Sequence, residues 1–124
     1  MKRLLFLATL LFAAFIVAIV IAADRGHFPS LLEGLYRFPG GDKVGHFILF
    51  GTLSFLLNKS VLTIYPKKSP IRLVPTVSLL LAIGIGLEEW SQSLFPTRTM
   101  SLIDLLASYA GVLVFAILAY RTNQ

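Results

Sequence analysis

Four apolar runs, separated by short polar stretches, dominate this chain. The first, Leu4 to Ala23, carries no charge. At 1.5 Å per residue it covers about 30 Å, the thickness of a bilayer's hydrocarbon core. Lys2 and Arg3 precede it, and small residues (Ala22, Ala23) end it, an order shared by secretory signal peptides. A signal peptide's apolar core is shorter, about 7–15 residues, so the length favours a membrane span. The second run starts at Asp42 or Lys43 and reaches Leu57, where Asn58-Lys59 is expected to stop it. It is short for a crossing, about 24 Å as a helix, and snorkelling flanks or local thinning would accommodate it. The third extends from Leu73 to about Ser91, with Pro75 in its first turn, where a missing N–H costs little. Gly84 and Gly86 near its far end are expected to admit a neighbouring backbone. The fourth covers 102–120. Ser101-Leu-Ile-Asp104 reads as its capping box, and Arg121 closes it.

The intervening stretches read as loops. Asp24–Gly41 is punctuated by glycine and proline and carries Phe28, Tyr36 and Phe38, with a short surface helix expected over Ser30–Tyr36. Asn58–Arg72 is a basic loop, and Phe95-Pro96-Thr97-Arg98 a turn. The pattern predicts one all-α domain over residues 1–124, an integral membrane bundle of four transmembrane helices, with spans at about 4–23, 43–57, 73–91 and 102–120.

Charge placement orients the bundle. Lys2, Arg3, Lys59, Lys67, Lys68, Arg72 and Arg121 fall on one side of a four-span model, with no acidic side chain among them. By the positive-inside rule that side is cytoplasmic, which puts both termini inside. Asp24, Glu33, Asp42, Glu88, Glu89 and Asp104 then share the outer side with Arg25, Arg37, Lys43, Arg98, His27 and His46. The net charge of +5 does not suggest nucleic acid as a partner, because the basic residues sit in short loops rather than in an aromatic-studded stripe. Composition agrees with a membrane protein: 56% of residues are hydrophobic, only 14% are charged, and mean hydropathy is +0.82. The sequence contains no cysteine, which excludes disulfides, thiolate nucleophiles and thiolate metal sites.

Ionisable residues at the edge of a membrane span are candidates for function. His46 lies one turn into the second span, Glu88 and Glu89 on the last turn of the third, and Asp104 on the first turn of the fourth. Three helices thus bring polar side chains to one layer, as bundles do when they build sites. Asp42 and His46 share a helix face at i, i+4, so the carboxylate would orient the imidazole as an acid or base. The competing reading is a capping Asp beside a histidine satisfied by packing. His27, with no spaced partner, reads as surface. Glu88 and Glu89 point about 100° apart, so at most one faces the bundle centre, and periodicity alone favours neither. Gln92 shares a face with each, at i+4 and i+3. Trp90 and Phe95 suit the aromatic belt. Arg98 would neutralise Glu89 or Asp104, or offer a bidentate grip to a phosphate. Asp104 and Ser108 again share a face. A metal held by His46, Glu89 and Asp104 is conceivable, but no contiguous ligand motif supports one, and no cofactor is implied. No GxSxG or SxxK pattern marks Ser108 as a nucleophile.

Taken in order, Asp42-Lys43-x-x-His46, Phe50 and Leu53, then Glu89-x-x-Gln92, Arg98 six residues on, Asp104 six beyond and Gly111 seven further, resemble the VanZ-like family. The motif positions cover about Asp42 to Gly111. The family usually has Asn four residues after the Asp, where this chain has Ser108, and Pro96 lies near the family's proline. The resemblance implies a small multi-pass protein of a bacterial plasma membrane, of the type named for glycopeptide (teicoplanin) resistance. A glycopeptide or a lipid-linked cell-wall precursor is the implied ligand. His46, Asp42 and Glu89 are then the candidates for chemistry, and Lys43, Glu88, Gln92, Arg98, Asp104 and Ser108 for binding. Two other functions fit the same residues: a membrane enzyme acting on a lipid-linked or phosphorylated substrate, and an accessory subunit whose polar layer only locks helices together.

Overall fold

A computed structural model describes residues 2–24, 41–91, 94 and 102–123, with the backbone alone at residues 2, 22–24 and 41–43. The loop over 25–40 with its expected short helix and His27, the residues Gln92 and Arg98, the turn around Pro96 and the Ser101 cap lie outside the described residues. So do the side chains of Asp42 and Lys43.

Among the described residues four α-helices carry the fold: α1 (Lys2–Asp24), α2 (Gly41–Ile64), α3 (Pro70–Ser91) and α4 (Leu102–Thr122). Each is long and apolar enough to cross a membrane. Their outer surfaces are carbon: Leu79, Leu80, Ile83 and Leu87 on α3 and Leu106 and Leu113 on α4 are exposed, whereas Ser54, Asn58, Ser60, Glu89 and Ser108 are buried. Polar side chains inside and leucine outside is the arrangement that a lipid environment favours, since lipid leaves polar groups to find partners within the protein.

Two helix limits differ from expectation. Asn58 and Lys59 do not end α2, which continues to Ile64. The Asn58 side chain is fully buried and donates through Nδ2 to the Ser54 carbonyl at 2.9 Å and to Ser54 Oγ at 3.3 Å, so its polarity is absorbed inside the bundle. Lys59 lays its ammonium over the Phe55 ring, 5.8 Å from the centroid, consistent with a long side chain reaching along the helix surface. The basic connection shrinks to residues 65–69, turned by a bond from the Lys68 N–H to the Tyr65 carbonyl at 3.1 Å. At the start of α3, Pro70 rather than Pro75 takes the first helical position, and the Ser69 carbonyl accepts from the Arg72 and Leu73 N–H groups. Pro75 stands inside the helix.

Helix directions follow from the contacts. Ser54 Oγ donates to the Val112 carbonyl at 2.9 Å and His46 meets Ser108, so α2 and α4 run parallel. Thr9 bonds Ser60, making α1 antiparallel to α2. Tyr109 donates to the Ala82 carbonyl at 3.1 Å while Val74 packs with Ala116, making α3 antiparallel to α4. The chain therefore alternates direction from helix to helix. The closest packing joins α2 to α4; α3 rests against both, and α1 packs chiefly on α2. A shared core of Ile16, Phe50, Leu53, Ile85 and Val112 holds all four together.

Glycine makes the central crossing. A methyl on Gly111 would run into the Phe47 carbonyl oxygen and lie 3.1 Å from the Phe47 Cα, and one on Gly51 would enter the Phe115 ring. Small residues allow this approach between membrane helices, where apolar burial gives little drive for association. The glycines expected to do this work, Gly84 and Gly86, do not. Nothing lies within 4 Å of a methyl placed on Gly84, and Gly86 faces only the Tyr109 hydroxyl.

Candidate functional site

The α2/α4 crossing positions the histidine. Gly111 brings the two backbones together one turn from Ser108, and His46 lies one residue before Phe47, the residue that Gly111 touches. His46 Nδ1 consequently stands 3.1 Å from Ser108 Oγ, and Nε2 is 4.0 Å from Asp104 Oδ2. Phe50, the next turn of α2, stacks on the imidazole with centroids 5.9 Å apart. Ser108 is 1% exposed, while the His46 and Asp104 side chains keep 22% and 16% of their surface. The pair lies at the edge of the interior, within reach of a small ligand.

Proton counting narrows what this arrangement does. Ser108 has one hydroxyl proton, and Oγ also lies 3.1 Å from the Asp104 main-chain carbonyl as a donor. Given to that carbonyl, the proton leaves Ser108 to accept from His46 Nδ1–H. A neutral imidazole then turns its Nε2 lone pair toward the Asp104 carboxylate, at a separation beyond hydrogen-bond reach. In the other tautomer Ser108 donates to Nδ1, and the proton on Nε2 faces Asp104 Oδ2 at 4.0 Å.

The third helix adds a carboxylate toward the same end. Ile85 shares a core cluster against which Leu105 and Tyr109 pack, and Glu89 lies one turn further along α3, toward the end where α4 begins with Asp104. Glu89 is 2% exposed, whereas Glu88 is partly exposed with its carbonyl accepting from Ser91 Oγ at 2.6 Å. Of the two adjacent glutamates, Glu89 is the one turned inward. Trp90 is 57% exposed, on the outer face as an aromatic anchor would be. Among the described residues no three His, Asp or Glu groups gather as a metal site. His46, Ser108, Asp104 and Glu89 thus share one end of the bundle. The pairing of Asp42 with His46 and the placements of Lys43, Gln92 and Arg98 fall outside the described side chains.

Sequence reasoning missed a second polar set, nearer the other end. Ser54 and Asn58 follow His46 at eight and twelve residues, on one face of α2, and Thr9 Oγ1 and Ser60 Oγ pair at 2.7 Å between α1 and α2. The four-residue spacing from His46 through Phe50 and Ser54 to Asn58 was the available signal. Comparison with protein-family models, with curated proteins and with solved structures finds no match to this chain. What the fold itself establishes is an all-helical arrangement with four candidate membrane-spanning helices and with Glu89 and Ser108 buried.

Proposed function

We propose that this chain is a VanZ-like protein of a bacterial cell membrane, acting in the cell envelope or in the response to glycopeptides through the His46–Ser108–Asp104–Glu89 layer. In this reading both termini are cytoplasmic, as the positive-inside rule requires of an end that carries Lys67, Lys68, Arg72 and Arg121. The polar layer then lies at the extracytoplasmic face. The observation that carries the reading is the placement of His46, Asp104 and Glu89, from three different helices, toward one end of the bundle. Burying these groups together is expensive in a membrane protein and marks a site. Its chemistry suits a ligand rich in hydroxyl or amide donors, such as a glycopeptide or a lipid-linked cell-wall precursor. Asp104 and Glu89 accept, and Arg98, six residues before Asp104, supplies the cation for an anionic group.

Glycopeptide susceptibility of a sensitive host tests it, with this chain compared against Glu89→Gln and Arg98→Ala at matched membrane abundance. Protection lost in both variants supports the reading, and no protection from any version removes it.

The placement of His46 supports a second reading, a membrane enzyme acting on a lipid-linked or phosphorylated substrate. Ser108 holds the imidazole through Nδ1, and Nε2 faces the Asp104 carboxylate, a partner that could steer a general acid or base. Ser108 is itself too deeply buried to attack a substrate and serves to position His46. Turnover of a lipid-linked phosphate that disappears in His46→Gln would favour this reading.

A further inference from the structure

Away from His46, toward the basic end of the bundle, α3 and α4 meet through Val74 and Ala116 but leave a groove beside that contact. A groove of about 510 Å³ runs between them, walled by Ile71, Val74, Pro75, Leu113 and Ile117, with Arg121 at its mouth. Ser78 stands at the deep end, but its hydroxyl oxygen is buried away from the groove. The walls are mostly carbon, Tyr120 adds a phenol, and the one charge among the lining residues is the Arg121 guanidinium. We infer that this groove holds an acyl chain of an anionic phospholipid whose phosphate lies against Arg121.

Length and charge each support that occupant. From Leu113 to Arg121 the groove follows eight residues of α4, about 12 Å at helical rise. That is close to one leaflet's share of a core about 30 Å thick. Arg121 and Arg72 are exposed, and Lys67 and Lys68 stand at the same end. The described acidic side chains, Glu88, Glu89 and Asp104, all lie at the opposite end. Nothing described near Arg121 competes with a phosphodiester. The inference is independent of the function proposed above.

Native mass spectrometry of the full chain, exchanged into phosphatidylglycerol or phosphatidylcholine, reads the retained lipid. About fivefold more phosphatidylglycerol is expected, the preference that one arginine near a membrane surface gives. Arg121→Gln should erase that preference. Arg72→Gln should keep it, because Arg72 does not line the groove. Ile117→Trp should fill the groove and lower retention of both lipids. Arg121 and Ile117 are exposed, so these variants should fold, which helical circular dichroism would confirm. Equal retention of the two lipids by the unaltered chain would overturn the proposal. So would an equal effect of Arg72→Gln and Arg121→Gln, which would reduce the attraction to a diffuse basic end. A dimer that Ile117→Trp dissociates would replace the lipid with a second copy.

Discussion

Replacing Gly111 with alanine tests whether backbone contact between α2 and α4 holds this bundle together. Two opposed effects set the size of the change. Alanine is favoured over glycine in a helix by about 0.8–1.0 kcal/mol. Against this, the new methyl meets backbone: it would strike the Phe47 carbonyl oxygen and lie 3.0 Å from its carbonyl carbon. Backbone cannot rotate away as a side chain can, so α2 and α4 must separate. A gap of 0.5–1 Å forfeits about a quarter to a half of each dispersion contact along the seam. Overpacking of this kind costs about 1–3 kcal/mol, and a backbone collision belongs at the upper end. The expected net loss is about 2 kcal/mol. Gly84→Ala supplies the reference, since it makes the same change of residue type with nothing within 4 Å of the new methyl. It should be neutral or stabilising by up to about 1 kcal/mol. Reversible unfolding in bicelles should therefore separate the two variants by about 3 kcal/mol. Separation of the helices would also pull His46 from Ser108, so Gly111→Ala should weaken whatever the site does. Equal stability of Gly111→Ala and Gly84→Ala would refute the close crossing as the source of stability.

Other expectations follow from the same contacts. Gly51→Ala meets chiefly the Phe115 ring, with the Gly111 carbonyl oxygen less crowded at 3.2 Å, so its cost should fall below that of Gly111→Ala and should shrink further with Phe115→Leu, a coupling that a double-mutant cycle in the same unfolding assay would measure. Ser54→Ala removes the bond to the Val112 carbonyl and Thr9→Val the bond to Ser60; each should cost about 0.6 kcal/mol and not more than about 1.7 kcal/mol, the range for hydrogen bonds between membrane helices. Ser108→Ala frees the imidazole without removing it, so nitrogen NMR of labelled His46 should show altered Nδ1 hydrogen bonding while helix content stays unchanged.

The four long apolar helices were legible because hydropathy acts along the chain. Leu4 to Ala23 is apolar whatever it packs against, and Asp104 stands at the start of its helix in any arrangement. Features that depend on a partner were not legible. Asn58-Lys59 has the look of a stop, yet Asn58 bonds back to Ser54 and stays inside, so α2 extends to Ile64. Gly84 and Gly86 resemble a packing pair in sequence, but the residue opposite decides whether a glycine is needed, and the crowded positions are Gly51 and Gly111. Glu88 and Glu89 differ by 100° about one axis, and only the position of α4 turns Glu89 inward. Ser108 could be placed on the face of Asp104, but its contact with His46 required the crossing of two helices 62 residues apart in sequence.

The tight pairing of α2 with α4 sets the order in which this protein can be completed. For a chain read as membrane-spanning, α2 would insert with His46, Ser54 and Asn58 on one face, long before α4 leaves the ribosome. For that interval Ser54 lacks the carbonyl it will bond and His46 lacks Ser108, so α2 must be tolerated by lipid, by α1 or by the insertion machinery. Chains that stop before α4 should be recognised as incomplete and degraded, even though three of their four spans are in place. The last helix to be made is the one on which the central helix depends.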